Sequence, residues 1–285
     1  MTVAPDQPSS YLSFAADLDD PAAVSAYDEA PLWSAAFGLL LLEHVPLPRD
    51  GAVLDIGCGT GFPLLELAQR CGPAARAYGV DVWRAALHRA EAKRRMIGVA
   101  RAAVIHADAV ALPFAGDRFD LVVSNLGVNN FADPDAALRE IARVLTPAGT
   151  VALTTNLRGH MAEFYAAFEQ TLLALDDQPA IEVLRKHIDH RVTVESVTKM
   201  LVRAGLAVTR VVDDSAVMRF ANGTALLHDY FIKLGFLDAW KEVVAPDCRE
   251  ATFAVLEENL NTEAATAGAL ELTIPMAYIE GRLAG

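Results

Sequence analysis

The sequence is poor in cysteine and in positive charge. Its three cysteines, Cys58, Cys71 and Cys248, are too few and too scattered for a disulfide framework or a cysteine-rich metal centre. We therefore expect no bound metal and a reducing, cytoplasmic setting. Lysine and arginine number 24 against 37 acidic residues, for a net charge of −13. Such an excess of acid disfavours nucleic acid and anionic membranes as partners, because both are bound through basic surfaces.

Long apolar runs and targeting signals are also missing. The longest apolar run, residues 35–42, is too short to cross a bilayer, so we expect no membrane span. No basic segment precedes an apolar one near the first residues, and no signal peptide is predicted. Residues 1–10 are rich in proline, serine and aspartate, which predicts disorder. The rest of the chain, with 53% hydrophobic residues overall, has ample apolar content for a large core.

One stretch organises the chain: residues 53–61, VLDIGCGTG. Its first four residues are typical of a buried parallel strand. Gly57, Gly59 and Gly61 allow a sharp turn and place no Cβ between the backbone and a ligand. A helix predicted over 63–70 completes a strand–turn–helix unit, the arrangement of a nucleotide-type site at the carboxyl end of a sheet. The glycines alone are also compatible with a tight turn that has only a structural role in packing.

A second apolar strand, residues 76–80, ends at Asp81. The spacing from Gly57 to Asp81 is close to the roughly 20 residues that separate a glycine turn from the acidic side chain that binds ribose hydroxyls. The alternative is an aspartate that only caps the next helix.

Strand and helix patterns alternate along the chain, which predicts a parallel α/β sheet. The predicted strands are 52–57, 76–80, 103–106, 119–124, 149–155, 206–212 and 269–279. The predicted helices include 21–45, 83–97 and 133–145. The last begins after Asp133 and ends at a turn that contains Pro147 and Gly149. Pro275 predicts an edge position or a bulge for the final strand.

Taken together, the motifs resemble those of the class I S-adenosylmethionine-dependent methyltransferases. The matching segments are VLDIGCGTG (53–61), GVD (79–81), HAD (106–108), LPF (112–114), FDLVVSN (119–125) and ARVLTPAGTVALTT (142–155). The resemblance covers residues 50 to 156, and the most similar members are the small-molecule enzymes related to the ubiquinone and menaquinone C-methyltransferases. It implies a doubly wound, mostly parallel, seven-stranded Rossmann-like sheet. It also implies S-adenosylmethionine as cofactor and a small-molecule methyl acceptor as partner.

The resemblance also assigns roles to individual residues. It implies that Asp55 supports the methionine end of the cofactor, that Asp81 accepts hydrogen bonds from the ribose, and that Asp108 accepts from the adenine amino group. Trp83 is a candidate wall for adenine, and Cys58 is expected to be a small turn residue and not a nucleophile. The other residues expected to bind the cofactor are Gly57, Cys58, Gly59, Gly61, Val82, Ala109 and Asn125.

Two segments between predicted strands are longer than the connections that a minimal seven-stranded methyltransferase needs. Residues 157–192 and 213–267 both show apolar positions at helical spacing. Long insertions on a fixed sheet are where substrate specificity tends to lie, so we expect one helical cap that binds the acceptor. A homodimer interface is the alternative, and the two are compatible. The expected organisation is a helical lid at 1–45, a cofactor-binding core at 46–156, and the rest of the sheet with its cap at 157–285.

Methyl transfer from a sulfonium requires the acceptor to be held in line and water to be excluded, with at most a weak base. The candidate bases are His160 and His228, and the alternative for each is a structural histidine. The candidate acceptor-binding residues are Tyr27, Trp33, Asn129, Asn130, Tyr165 and Tyr230. The Pro-Pro-Tyr pattern of adenine, glutamine and cytosine-amino methylases is replaced by Ser124-Asn125-Leu126-Gly127, which disfavours a nucleic-acid base or a protein amide as acceptor.

Two other functions are compared with this one. A nicotinamide-dependent oxidoreductase places its third glycine one position later, at Phe62 in this chain, and is disfavoured. A non-catalytic domain that binds the cofactor as a partner in an assembly stays open. The sequence determines neither the acceptor nor whether oxygen, nitrogen, carbon or sulfur is methylated.

Overall fold

The computed structural model describes residues 10–29 and 32–285. The predicted disorder of residues 1–10 therefore lies, apart from Ser10, outside the described residues, as do Ala30 and Pro31. The described chain forms two compact units. The helical unit contains residues 10–17, Arg158–Arg191 and Ser215–Pro275, and the sheet unit contains Leu18–Leu157, Val192–Asp214 and Met276–Gly285.

A seven-stranded sheet forms in the described residues, as the resemblance implied. Its strands are β1 Ala52–Ile56, β2 Arg76–Asp81, β3 Ala102–His106, β4 Phe119–Asn125, β5 Leu145–Asn156, β6 Leu206–Phe220 and β7 Leu270–Leu283. The strand order is β3-β2-β1-β4-β5-β7-β6. Strands β1 to β5 pair in parallel, and β7 pairs antiparallel to β5. The sheet is thus mostly parallel and Rossmann-like, with β1 between β2 and β4 near its centre.

The helices of the sheet unit flank these strands, with one exception. They are α1 Pro21–Glu29, α2 Leu32–His44, α3 Leu64–Arg70, α4 Arg84–Met96, α5 Pro134–Val144 and α8 Val194–Arg203. The exception is α1, which packs on α4. Leu138 and Ile141 of α5 join Leu54 and Val122 of the central strands in one buried core. The α5 helix begins where expected, because the Asp133 side chain accepts a hydrogen bond of 2.9 Å from the Ala136 amide.

The helical unit has its own aromatic core. Its helices are α6 Ala162–Ala174, α7 Gln178–Asp189, α9 Gly223–His228, α10 Tyr230–Ile232, α11 Asp238–Val243 and α12 Arg249–Ala267, with a π-helical stretch Lys233–Leu237 between α10 and α11. Phe164 and Trp240 stack with ring centroids 3.9 Å apart, and Phe168 packs against Phe253 at 5.7 Å. Within the described part of the chain, no helix is long and apolar enough to cross a membrane.

Several predicted boundaries differ from the structure. The helix predicted over 21–45 is two helices, α1 and α2. Strand β5 begins at Leu145, so Pro147 and Gly149 lie inside it, beside an irregular register with β4 between Phe119 and Leu121.

The second insertion also starts differently from the prediction. Strand β6 continues to Phe220, so residues 213–220 are extended and not helical. Strand β7 lies between β5 and β6 and is not an edge. Strand β7 pairs with β5 from Met276 onward. Pro275, which has no amide hydrogen, therefore lies outside this pairing.

Candidate active site

The glycine turn after β1 is fastened to the end of β2 by backbone hydrogen bonds. The amides of Gly57 and Cys58 donate to the Val80 carbonyl at 2.8 and 3.1 Å. The Gly59 amide donates to Oδ2 of Asp81 at 2.8 Å. The turn and the acidic residue, which are distant in sequence, therefore form one rigid corner.

The outer side of this turn is open. Gly57, Gly59 and Gly61 have φ values of 76°, 49° and 101°, a left-handed region that favours glycine. A Cβ placed on Gly59 would meet no described atom within 4 Å, whereas one on Gly61 would lie 3.1 Å from Leu65. Gly59 thus lines open space, and Gly61 is required for close packing of the turn on α3.

Asp55, the acid of this motif, is fully buried at the end of β1. In the described part of the chain, no hydrogen bond of normal geometry reaches either of its carboxylate oxygens. Burial, reinforced by the negative charge of Asp81, raises the pKa of Asp55 to about 8, against a smaller opposing effect of the Leu64 amide. A buried, unsatisfied carboxyl group beside an open turn is a feature that a polar or cationic ligand group would stabilise.

Asp81 organises the next part of the site. Its Oδ1 accepts from the Trp83 amide at 2.7 Å, while its Oδ2 holds Gly59. The Tyr27 ring packs edge-on against the Trp83 ring, with centroids 5.1 Å apart. Burial, together with the negative charges of Asp81 and Asp28, raises the pKa of Tyr27. The structure therefore places Tyr27 and Trp83 beside the Asp81 carboxylate.

The contact of α1 with this corner depends on Asp28. Its carboxylate accepts from Arg89 Nε at 2.8 Å and from Lys93 Nζ at 2.6 Å, and its side chain is only 8% exposed. Hydrogen bonds from Lys93, Arg89 and Thr60 hold the pKa of Asp28 below its usual value despite burial. Since Thr60 belongs to the glycine turn, Asp28 fixes α1 to both α4 and the turn.

Asp108 and its neighbours follow β3. The Ala107 amide donates to the Asp81 carbonyl at 3.1 Å, which brings this loop next to the end of β2. Asp108 is exposed and accepts from the Val110 amide at 3.1 Å, while Ala109 is buried. Val82 is 61% exposed. The three residues expected around adenine thus lie at the same end of neighbouring strands.

Asn125 lies at the carboxyl end of β4. Its Oδ1 accepts from the Thr154 hydroxyl at 2.7 Å, and its Nδ2 donates to the Ser34 carbonyl at 3.1 Å. Ser34 lies in α2, where Trp33 packs against Phe37 with ring centroids 5.2 Å apart. Asn125 therefore ties α2 to the ends of β4 and β5.

A second amide cluster lies just beyond. Asn129 Nδ2 donates to both Oδ1 and the carbonyl of Asn156, the last residue of β5. Asn130 is exposed and donates to the Leu126 carbonyl at 3.1 Å. Leu126 has a φ of 67°, a strained backbone conformation for leucine. The turn after β4 thus directs Asn129 and not Asn130 toward β5.

The remaining candidates lie in the helical unit. Burial lowers the pKa of His160 to about 3, with further effects from the positive charges of Arg191 and His187. The neutral imidazole is thus a weak base in this environment. The Tyr165 hydroxyl accepts from Trp240 Nε1 at 3.2 Å and lies 3.1 Å from His187 Nε2. Tyr165 is buried, so these polar contacts belong to the interior of the unit.

The two other candidates of the helical unit have local partners. His228 Nδ1 lies 2.9 Å from the Thr224 carbonyl one helical turn away, and its ring packs edge-on against Tyr11 at 5.0 Å. Tyr230 packs against Phe14 with ring centroids 5.9 Å apart. Both rings thus connect the N-terminal segment to the helices of this unit.

These features fit S-adenosylmethionine. The cofactor has no phosphate, so its site requires close backbone approach, carboxylates and an apolar wall. Gly59 offers the first, Asp81 and Asp55 the second, and Trp83 the third. Tyr27, a candidate acceptor-binding residue, packs against Trp83. Cys58 is a buried turn residue, and burial raises the pKa of its thiol, which disfavours a nucleophilic thiolate.

Comparison with known proteins agrees with this geometry. The family model described as a methyltransferase domain matches residues 48–205. Nocamycin O-methyltransferase from Saccharothrix syringae is 28% identical over 246 residues, which cover 83% of this chain and 87% of that protein. Demethylmenaquinone methyltransferase from Anoxybacillus flavithermus is 35% identical over 131 residues, but this match covers only 45% of this chain and 55% of that protein.

A solved structure shows the same fold. An S-adenosylmethionine-dependent methyltransferase from Aquifex aeolicus superposes with a TM-score of 0.53 at 22% identity, covering 68% of this chain and 92% of that one. The fold and the site define an S-adenosylmethionine-dependent methyltransferase. The chain belongs to the methyltransferase-domain family. The oxidoreductase and non-catalytic alternatives are not favoured.

Sequence reasoning missed three residues that shape the site. Asp28, Thr60 and Asn156 act through contacts with residues far away in the chain. Neither Asp28 nor Asn156 belongs to a glycine turn or a recognised motif. Only Thr60 had a signal, because it lies inside the motif at 53–61.

Proposed function

We propose that this chain transfers the methyl group of S-adenosylmethionine to an oxygen atom of a small, largely apolar acceptor, and that the helical unit supplies the acceptor contacts. The observation that carries this proposal is the extent of the similarity to nocamycin O-methyltransferase. The match covers 83% of this chain, more than the sheet unit alone contains, and therefore includes part of the helical unit. By its name, that relative methylates an oxygen atom.

The connectivity supports a binding role for the helical unit. The chain passes into this unit directly after β5, whose carboxyl end carries Asn156, and again after residue 214. The interior of the unit is aromatic, and the rings of Phe164 and Phe236 both stack with the Trp240 ring. Aromatic side chains offer a large apolar contact area with few rotatable bonds, which suits a flat or cyclic acceptor.

The chemistry places modest demands on the protein. When bound, the cofactor would supply an activated methyl carbon to the acceptor oxygen; the hydroxyl proton would pass to solvent, and S-adenosylhomocysteine would leave with the electrons of the broken carbon–sulfur bond. Asp81 and the Gly59 turn would orient the cofactor, and Asn129 with Asn156 would orient a polar acceptor group. His160 has a pKa near 3 and is a weak base, so we expect the acceptor to carry an acidic hydroxyl group, enolic or phenolic.

The proposal extends to partners and location. Small molecules and not nucleic acids are the acceptors, which agrees with the net charge of −13. A homodimer is compatible with it. The cysteines of the described chain are free thiols, which supports a reducing, cytoplasmic setting.

The test is a methyl-transfer assay with isotopically labelled S-adenosylmethionine and a panel of small enols and phenols. Each acceptor is matched with an analogue whose hydroxyl is already methylated. Mass spectrometry should find the label on oxygen in the free acceptor and no transfer to the blocked analogue. Label on carbon or nitrogen, or equal transfer to the blocked analogue, contradicts the proposed oxygen specificity.

A further inference from the structure

A second concave site lies on the sheet unit, away from the glycine turn. It is a cleft of about 620 Å³ between the outward side of α4 and the strand β3. Strand β3 ends the sheet and pairs only with β2 among the described strands, so its outer edge borders the cleft. The charged and polar side chains that line the cleft are Arg84, His88, Glu91, Arg94, Arg95 and His106.

The positive charge of this cleft contrasts with the rest of the molecule. The chain has 37 acidic residues against 24 basic ones. Helix α4, in contrast, has five basic residues and one acidic residue in its 13 positions. Two of the five, Arg89 and Lys93, pair with Asp28 of α1 and do not line the cleft.

The other three face the cleft. Glu91 Oε2 and Oε1 accept from Arg94 Nε and Nη2 at 2.6 and 2.8 Å, a bidentate ion pair. Hydrogen bonds from Arg94 and Arg95 hold the pKa of Glu91 at about 2, so this carboxylate is charged. One carboxylate thus serves two arginines, and a net positive charge remains.

The two arginines at the ends of the cleft are the most accessible. The Arg95 side chain is 74% exposed and uses only Nε toward Glu91. The Arg84 side chain is exposed and makes no hydrogen bond or ion pair with any residue that the structure describes. The two Cα atoms are about 16 Å apart along the helix axis, since each residue rises 1.5 Å. The planar guanidinium group presents a fork of donors that matches phosphate or carboxylate oxygens.

Histidine side chains lie between these arginines. His88 follows Arg84 by one helical turn and therefore shares its face of α4. His106 lies at the end of β3, and its Nε2 is 3.1 Å from the Val82 carbonyl, so this nitrogen donates and Nδ1 is directed elsewhere. The cleft therefore combines guanidinium and imidazole groups over an elongated surface.

The geometry points to a second binding site, for an extended small-molecule polyanion, in the cleft formed by Arg84, Arg94, Arg95, His88 and His106. A carboxylate- or phosphate-bearing molecule with anionic groups near both ends satisfies Arg84 and Arg95 together. None of the cleft residues belongs to the glycine turn, but Arg84 follows Trp83 and His106 Nε2 lies 3.1 Å from the Val82 carbonyl, so the cleft begins beside the expected adenine wall and extends away from it along α4. The inference does not depend on which atom of the acceptor is methylated.

The experiment is calorimetric titration of the full chain, saturated with S-adenosylhomocysteine, at low salt. Tripolyphosphate is the phosphate probe and tricarballylate is the carboxylate probe. At least one should bind with a dissociation constant below about 1 mM, and the tighter of the two identifies the anionic group. Added salt should weaken the binding, because exposed charge pairs are screened.

The variants make the assignment specific. The double variant Arg84→Gln/Arg95→Gln should weaken binding at least tenfold, about the loss expected for one charge-assisted contact. Arg70→Gln is the matched control: Arg70 is an exposed arginine that pairs with Glu66 and does not line the cleft. All variants should keep their melting temperature and their affinity for S-adenosylhomocysteine.

Three results would overturn this inference. The first is the absence of binding of either probe up to about 10 mM. The second is equal binding by the double variant and the Arg70→Gln control. The third is competition between a probe and S-adenosylhomocysteine, since this would place the probe in the cofactor site.

Discussion

The backbone amide of Gly59 donates a hydrogen bond of 2.8 Å to Oδ2 of Asp81. This bond connects the turn after β1 with the end of β2, the two parts of the proposed cofactor site. The same carboxylate holds the Trp83 amide through Oδ1 at 2.7 Å. Asp81 thus has a structural role in the turn as well as the expected role of binding the ribose.

The first prediction concerns Asp81→Ala. This variant should weaken the binding of S-adenosylhomocysteine by about 1–3 kcal/mol, because buried hydroxyls lose a charged acceptor. Calorimetry measures the loss. The control is Asp133→Ala, which removes a helix cap and should cost about 1 kcal/mol of stability without affecting affinity. Unchanged affinity in the Asp81 variant contradicts its assignment.

The second prediction compares two glycines. Gly59 and Gly98 have φ values of 49° and 72°, and a Cβ on either meets no described atom within 4 Å. A valine at each position should cost stability by roughly 1–2 kcal/mol through left-handed backbone strain. Only Gly59→Val should abolish binding of S-adenosylhomocysteine, because only its side chain would enter the cofactor space. If both variants bind normally, the turn is not a contact surface.

Most strands of the sheet could be predicted from the sequence because each of these strands is a local run of apolar residues. Strands β1 to β4 were predicted to within one or two residues, and Asp133 marked the start of α5. Strand β5 was predicted to start too late because Pro147 and Gly149 usually mark turns, whereas here they lie in an irregular part of a strand. Strand β6 was cut short because its second half is mostly exposed and has no continuous apolar pattern.

The site was only partly predictable, for a physical reason. Asp55, Gly59 and Asp81 lie in short motifs that are recognisable in the local sequence, although the bond between Gly59 and Asp81 joins residues 22 positions apart. The pairing of Asn129 with Asn156, in contrast, depends on the register of two strands and on the strained turn at Leu126. The contact of Asp28 with Lys93 likewise depends on how α1 packs on α4. Local sequence patterns do not reveal such long-range contacts.

The third prediction concerns pH. Because burial raises the pKa of Asp55 to about 8, the folded chain binds this proton more tightly than the unfolded chain does. Its contribution to the free energy of unfolding is therefore largest below about pH 4 and is lost as the pH rises toward 8. Urea denaturation of Asp55→Asn should show a flatter pH dependence than wild type over this range. If the free energy of unfolding depends on pH in the same way in both proteins, the raised pKa of Asp55 is contradicted.

The same group should link cofactor binding to proton release. A cationic amino group near Asp55 favours its charged form, so binding of S-adenosylhomocysteine at pH 7 should release up to about one proton. Calorimetry in two buffers of different ionisation enthalpy measures this number. The release should disappear in Asp55→Asn and persist in Asp135→Asn, a variant of an exposed residue that pairs with Arg203.

The fourth prediction concerns the proposed cap. If the helical unit and the N-terminal helices close on ligands, their amides should gain protection from hydrogen exchange when S-adenosylhomocysteine and acceptor are both present. The expected segments are 157–192, 213–267 and the N-terminal helices Pro21–Glu29 and Leu32–His44. Full protection without ligand, or protection that depends only on protein concentration, would instead support an interface between copies of the chain.

The most direct test of the central claim is a calorimetric titration of the wild-type chain with S-adenosylhomocysteine and, separately, with NADH. We expect saturable binding of S-adenosylhomocysteine at one site per chain, with a dissociation constant in the micromolar range, equivalent to about −8 kcal/mol, and much weaker binding of NADH. Tighter binding of NADH, or no binding of S-adenosylhomocysteine, would contradict the assignment of the Gly59–Asp81 corner as a methyl-donor site.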